Sequence, residues 1–223
     1  MAVNGLAERQ MQSVAESHAA RIAAAGIACH PFAEELGGPA TPTTARDLDD
    51  CVHLLCSLYG RHPGLIDLAL GLCTDAPIRT WLAEAANGFE RERLYLVRLS
   101  ATVGPVPSTP GNAETQAALL AQRHAMETLA QSERNGCALG AAASLISDWR
   151  SLRPLLDRAA ARVGVEAPAC VLPDENDIGQ ILDLAATGPA VERAIRFGAE
   201  QLLLQHRALF DLLEARCDAR EGY

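Results

Sequence analysis

The sequence predicts an all-α protein, a helical bundle of about eight helices. Apolar residues recur at helical spacing, and no stretch alternates with period two. Alanine is abundant and aromatic residues make up only 4% of the 223 residues, a composition that favours closely packed helices over a β-sandwich. Prolines and glycines divide the chain into segments of helical length.

Three helices are predicted in the N-terminal third of the chain. The first covers about residues 4–25 and is followed by a glycine, a typical residue at a helix end. Residues 27–43 contain three prolines, which predict an extended connector. A second helix covers 44–59. A short third one, over 63–73, begins with a proline, which is favoured in a first turn.

Four longer helices follow, and we expect them to form an antiparallel core. A stiff loop of prolines and glycines separates the first from the second, Asn-Gly separates the second from the third, and Gly-Pro opens the last. A shorter helix over 176–187 is expected to cover one side. The four core helices are predicted at about 77–103, 112–135, 137–163 and 189–218.

We predict a single all-α domain over residues 1–223, in which residues 1–43 could form an N-terminal arm. The connections are short enough for sequence neighbours to pack together, and the chain has no internal repeat. Small residues at Gly136 and over 140–143 are expected to let another helix approach closely. His62 and Asp67 flank the start of the short third helix, at a corner that could face a ligand or be an ordinary turn.

Composition excludes several classes of function. The formal net charge of −9 argues against a nucleic-acid partner. No run approaches the roughly 18 apolar residues of a membrane span, and no signal peptide is evident, so we expect a cytoplasmic protein without a membrane partner. Seven cysteines without a Cys-x-x-Cys pair do not predict a disulfide framework or a zinc ribbon. The chain has no lysine and no phosphate-binding glycine motif, which disfavours phosphoryl transfer.

Five ionisable residues fall on or beside the apolar faces of the long helices. Glu92 interrupts the apolar stripe of the helix at 77–103, His206 lies among leucines at 189–218, and Asp148 lies at the margin of another stripe. His124 and Glu127 share a face of the helix at 112–135. A buried carboxylate is costly unless it is paired, hydrogen-bonded or bound to a metal, so these residues are the candidate site.

The helix at 112–135 has two competing inner faces. One face carries His124 and Glu127, whereas the other is apolar and carries Leu119, Met126 and Leu129. Periodicity does not choose between them, and tertiary contacts must decide which one is buried.

One hypothesis for the five residues is an iron or manganese site inside the bundle. Their side chains are of the types that bind these metals, and four-helix proteins project such ligands from facing helices. The chain resembles ferritin-like and haem-oxygenase-like di-iron oxidases in length and helix content, which implies a metal-dependent oxidoreductase. It departs from their Glu-x-x-His pairs, because His124 and Glu127 occur in the reverse order and Glu200 and His206 do not share a face.

The alternative hypothesis is a buried polar network without a metal. His206 would then pack its ring and make one hydrogen bond to a backbone carbonyl, as most buried histidines are hydrogen-bonded. The partners open to Glu92 are Arg93, Arg98, Arg123 and a protonated His124.

Several short segments resemble a bacterial all-helical family of unknown function. They are Gln122–Ala125, Ser132–Arg134, Gly136–Gly140 and Asp148–Arg150. The resemblance covers most of residues 60–165 and implies a compact helical domain, without implying a substrate, a cofactor or a partner. With no catalytic motif in view, the sequence favours a protein that acts by binding another protein or by self-association as a homo-oligomer. The alternative is the metal-dependent oxidoreductase.

Overall fold

The computed structural model describes residues 13–222, and over that range the chain is all-α, with no strand. A 3₁₀ turn at Ile27–Cys29 joins the first two helices. The α-helices of this range are α1 Val14–Ala25, α2 Pro31–Gly37, α3 Pro42–Tyr59, α4 Leu65–Leu72, α5 Ala76–Thr102, α6 Asn112–Ala130, α7 Cys137–Val163, α8 Glu175–Ala185 and α9 Pro189–Glu221. None of them combines the length and the apolar character that a membrane crossing needs.

The predicted all-α bundle is confirmed, and α5, α6, α7 and α9 are its four longest helices. The expected helix at 112–135 ends earlier, at Ala130, with Gln131 as its C-cap. The chain then turns, and Gly136, with a φ of 94°, is the residue that precedes α7. Residues 4–12 of the first predicted helix lie outside the described residues. The segment 27–43, expected to be an extended connector, contains a further helix, α2.

Two residues favour the start of helix α2: His30, which precedes it, and Pro31, its first residue. The His30 ring accepts a hydrogen bond from the Phe32 amide at its Nδ1 atom (3.2 Å), and Pro31 occupies the first turn. The helix then buries Phe32 and Leu36 against the core. Histidine is an unusual capping residue, which explains why composition alone predicts a loop here.

Helix α7 lies at the centre of the bundle, with most of its residues buried. Its first half is rich in glycine and alanine, and α9 packs against it backbone to backbone. A Cβ atom on Gly140 would lie 2.0 Å from the carbonyl oxygen of Ile195, and one on Gly198 would lie 2.0 Å from that of Cys137. The close approach expected from these small residues is thus present.

Helices α7 and α9 run in the same direction. Gly140 lies against Ile195, and further along both helices Asp148 bonds to His206. The intervening chain, which includes α8, returns to the starting end. Helix α6 runs opposite to α9, because Thr115 near its start bonds to Arg216 and Gln122 further along bonds to the carbonyl of Gln205. The core is therefore not uniformly antiparallel, since its two most intimately packed helices are parallel.

A buried ion cluster fastens the C-terminal half of α9 to α3. Asp50 accepts two hydrogen bonds of 2.8 Å from Arg216, in the paired geometry typical of arginine and carboxylate. Arg220 bridges Asp50 (2.6 Å) and Asp47 (2.7 Å). All four ionic groups are at most 6% exposed in their side chains. Such a cluster tolerates burial because each charge has an opposite partner.

We expect Gly140→Ala to lower the free energy of unfolding by about 3 kcal/mol, because the added methyl group must push α9 away from α7. Chemical denaturation followed by circular dichroism measures the change. The matched control is Gly71→Ala in α4, where no atom lies within 4 Å of the added carbon. The free energy of unfolding of that variant should rise by roughly 0.5 kcal/mol, since alanine is the better helix former. Equal stability of the two variants would contradict the backbone contact.

Candidate functional site

The structure brings together two of the five residues predicted to bind a metal. Asp148 and His206 are in direct contact, and Glu92 is fully buried on α5. His124 is exposed and Glu127 half-buried on α6. Within residues 13–222, no three of these five residues place ligand atoms within 4.8 Å of one another.

The position of His124 follows from the choice between the two faces of α6. The structure buries the apolar face with Leu119, Met126 and Leu129. His124 is therefore turned to the surface, away from His206. The metal hypothesis needs His124 inside the bundle, and the structure places it at the surface instead.

Asp148, His206 and Tyr59 form a hydrogen-bonded chain inside the bundle. Burial, together with the charge of Asp148, raises the pKa of Tyr59 well above its usual value, so the phenol keeps its proton. In a neutral His206 ring that donates its Nδ1 proton to Asp148 Oδ2 (2.6 Å), Nε2 accepts from the Tyr59 hydroxyl. Asp148 Oδ1 accepts from the Ile27 amide (2.7 Å). His206 therefore bonds to a carboxylate and a phenol, instead of the backbone carbonyl expected from the sequence.

Glu92 lies in a second buried network, between α5 and α7. It accepts hydrogen bonds from Trp149 Nε1 (2.9 Å) and from Arg153 Nη1 (2.6 Å). Arg153 also donates to Asp157 (2.7 Å). None of the four partners that the sequence suggested for Glu92 is used, because Glu92 faces α7. A metal at Glu92 would have to displace Trp149 or Arg153.

In the part of the chain that the structure describes, one other group of potential metal ligands comes close together, on the outer side of α9. It consists of His30, Asp211 and Glu214. His30 Nδ1 already accepts from the Phe32 amide, so the proton of a neutral ring is on Nε2, which donates to Asp211 (3.1 Å). A metal at Nε2 would need that proton to leave. We therefore assign the group a structural role in holding α2 against α9.

A cleft of about 330 Å³ opens where the end of α3 meets α4 and α6. Its volume is in the range of small-molecule sites. The Tyr59 ring forms part of its wall and packs edge-on against Phe89 (6.1 Å between centroids) and Trp149 (5.4 Å). The other apolar lining residues include Leu58, Leu65, Leu68, Met126 and Leu145.

The turn between α3 and α4 borders the cleft and is held by an ion pair. Asp67 accepts from the Gly64 amide (2.8 Å), which caps α4, and from Arg93 Nη2 (2.7 Å). His62 Nδ1 lies 3.4 Å from Asp67 and 3.2 Å from Arg93. The turn that carries His62 and Asp67, noted in the sequence as a possible ligand-facing corner, is thus held in place by Arg93 of α5. The exposed His62 lies beside the cleft.

The rim of the cleft is polar. Arg61, His62, Arg123, Glu127 and Gln131 line it. The Arg123 guanidinium reaches across to donate to the carbonyl of Ser57, and its Nε atom has no partner among residues 13–222. Of these residues, only Glu127 was predicted as a site residue. The sequence identifies Arg123 only as a possible partner of Glu92, because a single arginine on a helix carries no signal for a ligand, although its position one turn before Glu127 is visible.

The fold and the cleft thus define an all-α bundle protein with a preformed pocket beside its core. The chain belongs to a family of unknown function, DUF6975, whose family model matches residues 22–221. The resemblance to an uncharacterised family is confirmed, and it extends well beyond residues 60–165. Comparison with curated proteins and with solved structures gives no significant match.

We expect His206→Leu to lower the free energy of unfolding by about 3 kcal/mol, because it leaves the buried Asp148 carboxylate without its main partner. The matched control is His124→Leu, an exposed position where the change should stay within about 0.5 kcal/mol. In an Asp148→Asn background, His206→Leu should lower the free energy of unfolding by clearly less, since no buried charge is left without a partner. A loss that is unchanged in that background would show that Asp148 and His206 are not coupled.

His18 provides a test of pH dependence. It lies on α1 and is buried against α7, and burial, with a contribution from Arg21, lowers its pKa from 6.5 to about 4. In the unfolded chain His18 binds a proton below pH 6.5, whereas in the folded protein it does so only below about pH 4. The free energy of unfolding therefore falls by roughly 3 kcal/mol as the pH drops through this window. Denaturation midpoints measured from pH 7 to pH 4 should decline less in His18→Gln than in the parent. An identical decline would refute the assignment, and His124→Gln serves as the control.

Proposed function

We propose that this protein binds a small organic molecule in the cleft between α3, α4 and α6. The observation that carries the proposal is the combination of an aromatic and aliphatic lining with a polar rim in one cavity of about 330 Å³. Binding sites for small molecules typically have an apolar surface and a few placed polar groups. The apolar part of the ligand would lie against Tyr59 and Phe89.

The buried hydrogen bonds of Tyr59, His206 and Asp148 lie behind the cleft. They support binding because they fix the position of the cleft wall before a ligand arrives. The Tyr59 hydroxyl is bonded to His206, whose other ring nitrogen is bonded to Asp148. The ring that lines the cleft therefore has little freedom to rotate. A wall ordered before the ligand arrives reduces the entropy lost on binding.

The more specific functional predictions from the sequence remain proposals. Protein binding or self-association in the cytoplasm is compatible with exposed apolar side chains such as Leu120 and Leu204 on α6 and α9, and light scattering on the purified chain tests self-association. The metal-dependent oxidoreductase would require the networks at Glu92 and Asp148 to open. Elemental analysis of the purified protein tests that alternative.

We expect 3-phenylpropan-1-ol, a neutral aromatic probe, to bind in the cleft at millimolar concentration. Saturation-transfer NMR should detect its aromatic protons, and amide shifts should map the contact to the residues around Tyr59 and Leu68. Leu68→Trp should abolish binding, because the larger side chain fills the mouth of the cleft.

The matched control for this experiment is Leu72→Trp, at an exposed position on the same helix and outside the cleft. It should bind the probe as the parent does. Thermal unfolding of both variants shows that the fold is retained. Binding that survives Leu68→Trp, or a probe signal that maps to another surface, would overturn the proposal.

A further inference from the structure

Arg123 differs from almost every other inward arginine in how its charge is balanced. Within residues 13–222, the other buried or half-buried arginines have a carboxylate oxygen within 4.0 Å, with Arg158 as the one exception. Arg123 instead makes one hydrogen bond, to the carbonyl of Ser57, and its buried Nε has no partner in that range. Of these two arginines, only Arg123 lines the cleft.

The charge that would balance Arg123 is not supplied from within the cleft. Glu127, one turn further along α6, shares the cleft but is not within 4.0 Å of the Arg123 nitrogens. Arg61 adds a second guanidinium at the rim. The cleft therefore presents more positive than negative charge, in a chain whose formal net charge is −9. A guanidinium beside an apolar wall is suited to a carboxylate that carries an apolar body.

We propose that the ligand of the cleft is an organic monocarboxylate with an apolar, preferably aromatic body, and that Arg123 binds its carboxylate. This inference rests on the proposed function and adds the chemical class of the ligand. The body would lie on the Tyr59 and Phe89 rings, with the carboxylate at Arg123. Glu127 limits the site to a single negative charge, because a dianion such as a phosphate monoester would be repelled.

The experiment compares ligands that differ only in charge. We expect 3-phenylpropanoate to bind at least about tenfold more tightly than 3-phenylpropan-1-ol, the scale of a hydrogen-bonded charge pair. Arg123→Gln should reduce the affinity for the acid to about that for the alcohol, and the affinity for the alcohol should change far less than that for the acid. Glu127→Gln should strengthen binding of the acid a few-fold by removing the like charge. Phenyl phosphate should bind more weakly than the acid.

Arg158→Gln is the matched control, because it removes the other inward arginine without a carboxylate and lies outside the cleft. It should leave both affinities unchanged. Equal binding of the acid and the alcohol, or an Arg123→Gln variant that still prefers the acid, would overturn the carboxylate assignment while the proposed function stands. Tighter binding of phenyl phosphate would also overturn it. Failure of both ligands to bind would overturn the inference and the proposed function together.

Discussion

The backbone contact between α7 and α9 is the constraint on which the interior depends. Side chains are absent where Gly140 and Gly198 meet the opposite helix, so the two backbones touch. Because both helices run in the same direction from this contact, their later turns stay in fixed register. That register places Asp148 opposite His206. Two glycines, which have no side chain, therefore determine where Asp148 and His206 meet.

Most of the buried charge in this protein is balanced across helices. Glu92 on α5 is matched by Arg153 on α7, and Asp50 on α3 by Arg216 on α9. Each pair contributes little net stability once the loss of hydration is counted, but breaking one leaves a stranded charge and is costly. Such pairs penalise any packing that separates them. The absence of lysine makes arginine the partner in these pairs, and its planar donors suit buried carboxylates.

The extent of the long helices could be predicted from the sequence because proline, glycine and apolar periodicity mark their ends and faces. The burial of Glu92 could also be predicted, since it lies within an apolar stripe. Its partner could not, because the contact with Arg153 depends on how α5 is aligned with α7. Helix α2 was missed because its start depends on a histidine ring bonded to a single amide.

The cleft could be predicted only in part, for a related reason. Its lining comes from α3, the following turn, α4 and α6, and periodicity within one helix carries no information about their relative placement. Glu127 and the turn at His62 can be recognised as candidates in the sequence. Arg123 cannot, because its interest lies in having no carboxylate of residues 13–222 within 4.0 Å, which only the structure shows.

Trp149 is placed so that the protein carries its own optical probe. The indole packs against the Tyr59 and Phe89 rings (5.4 and 4.9 Å between centroids) and donates its N–H to Glu92. Its emission therefore depends on the two rings that line the cleft and on a buried carboxylate. A ligand that moves either ring would therefore change the emission of Trp149, over the background emission of Trp81, the other tryptophan of the sequence.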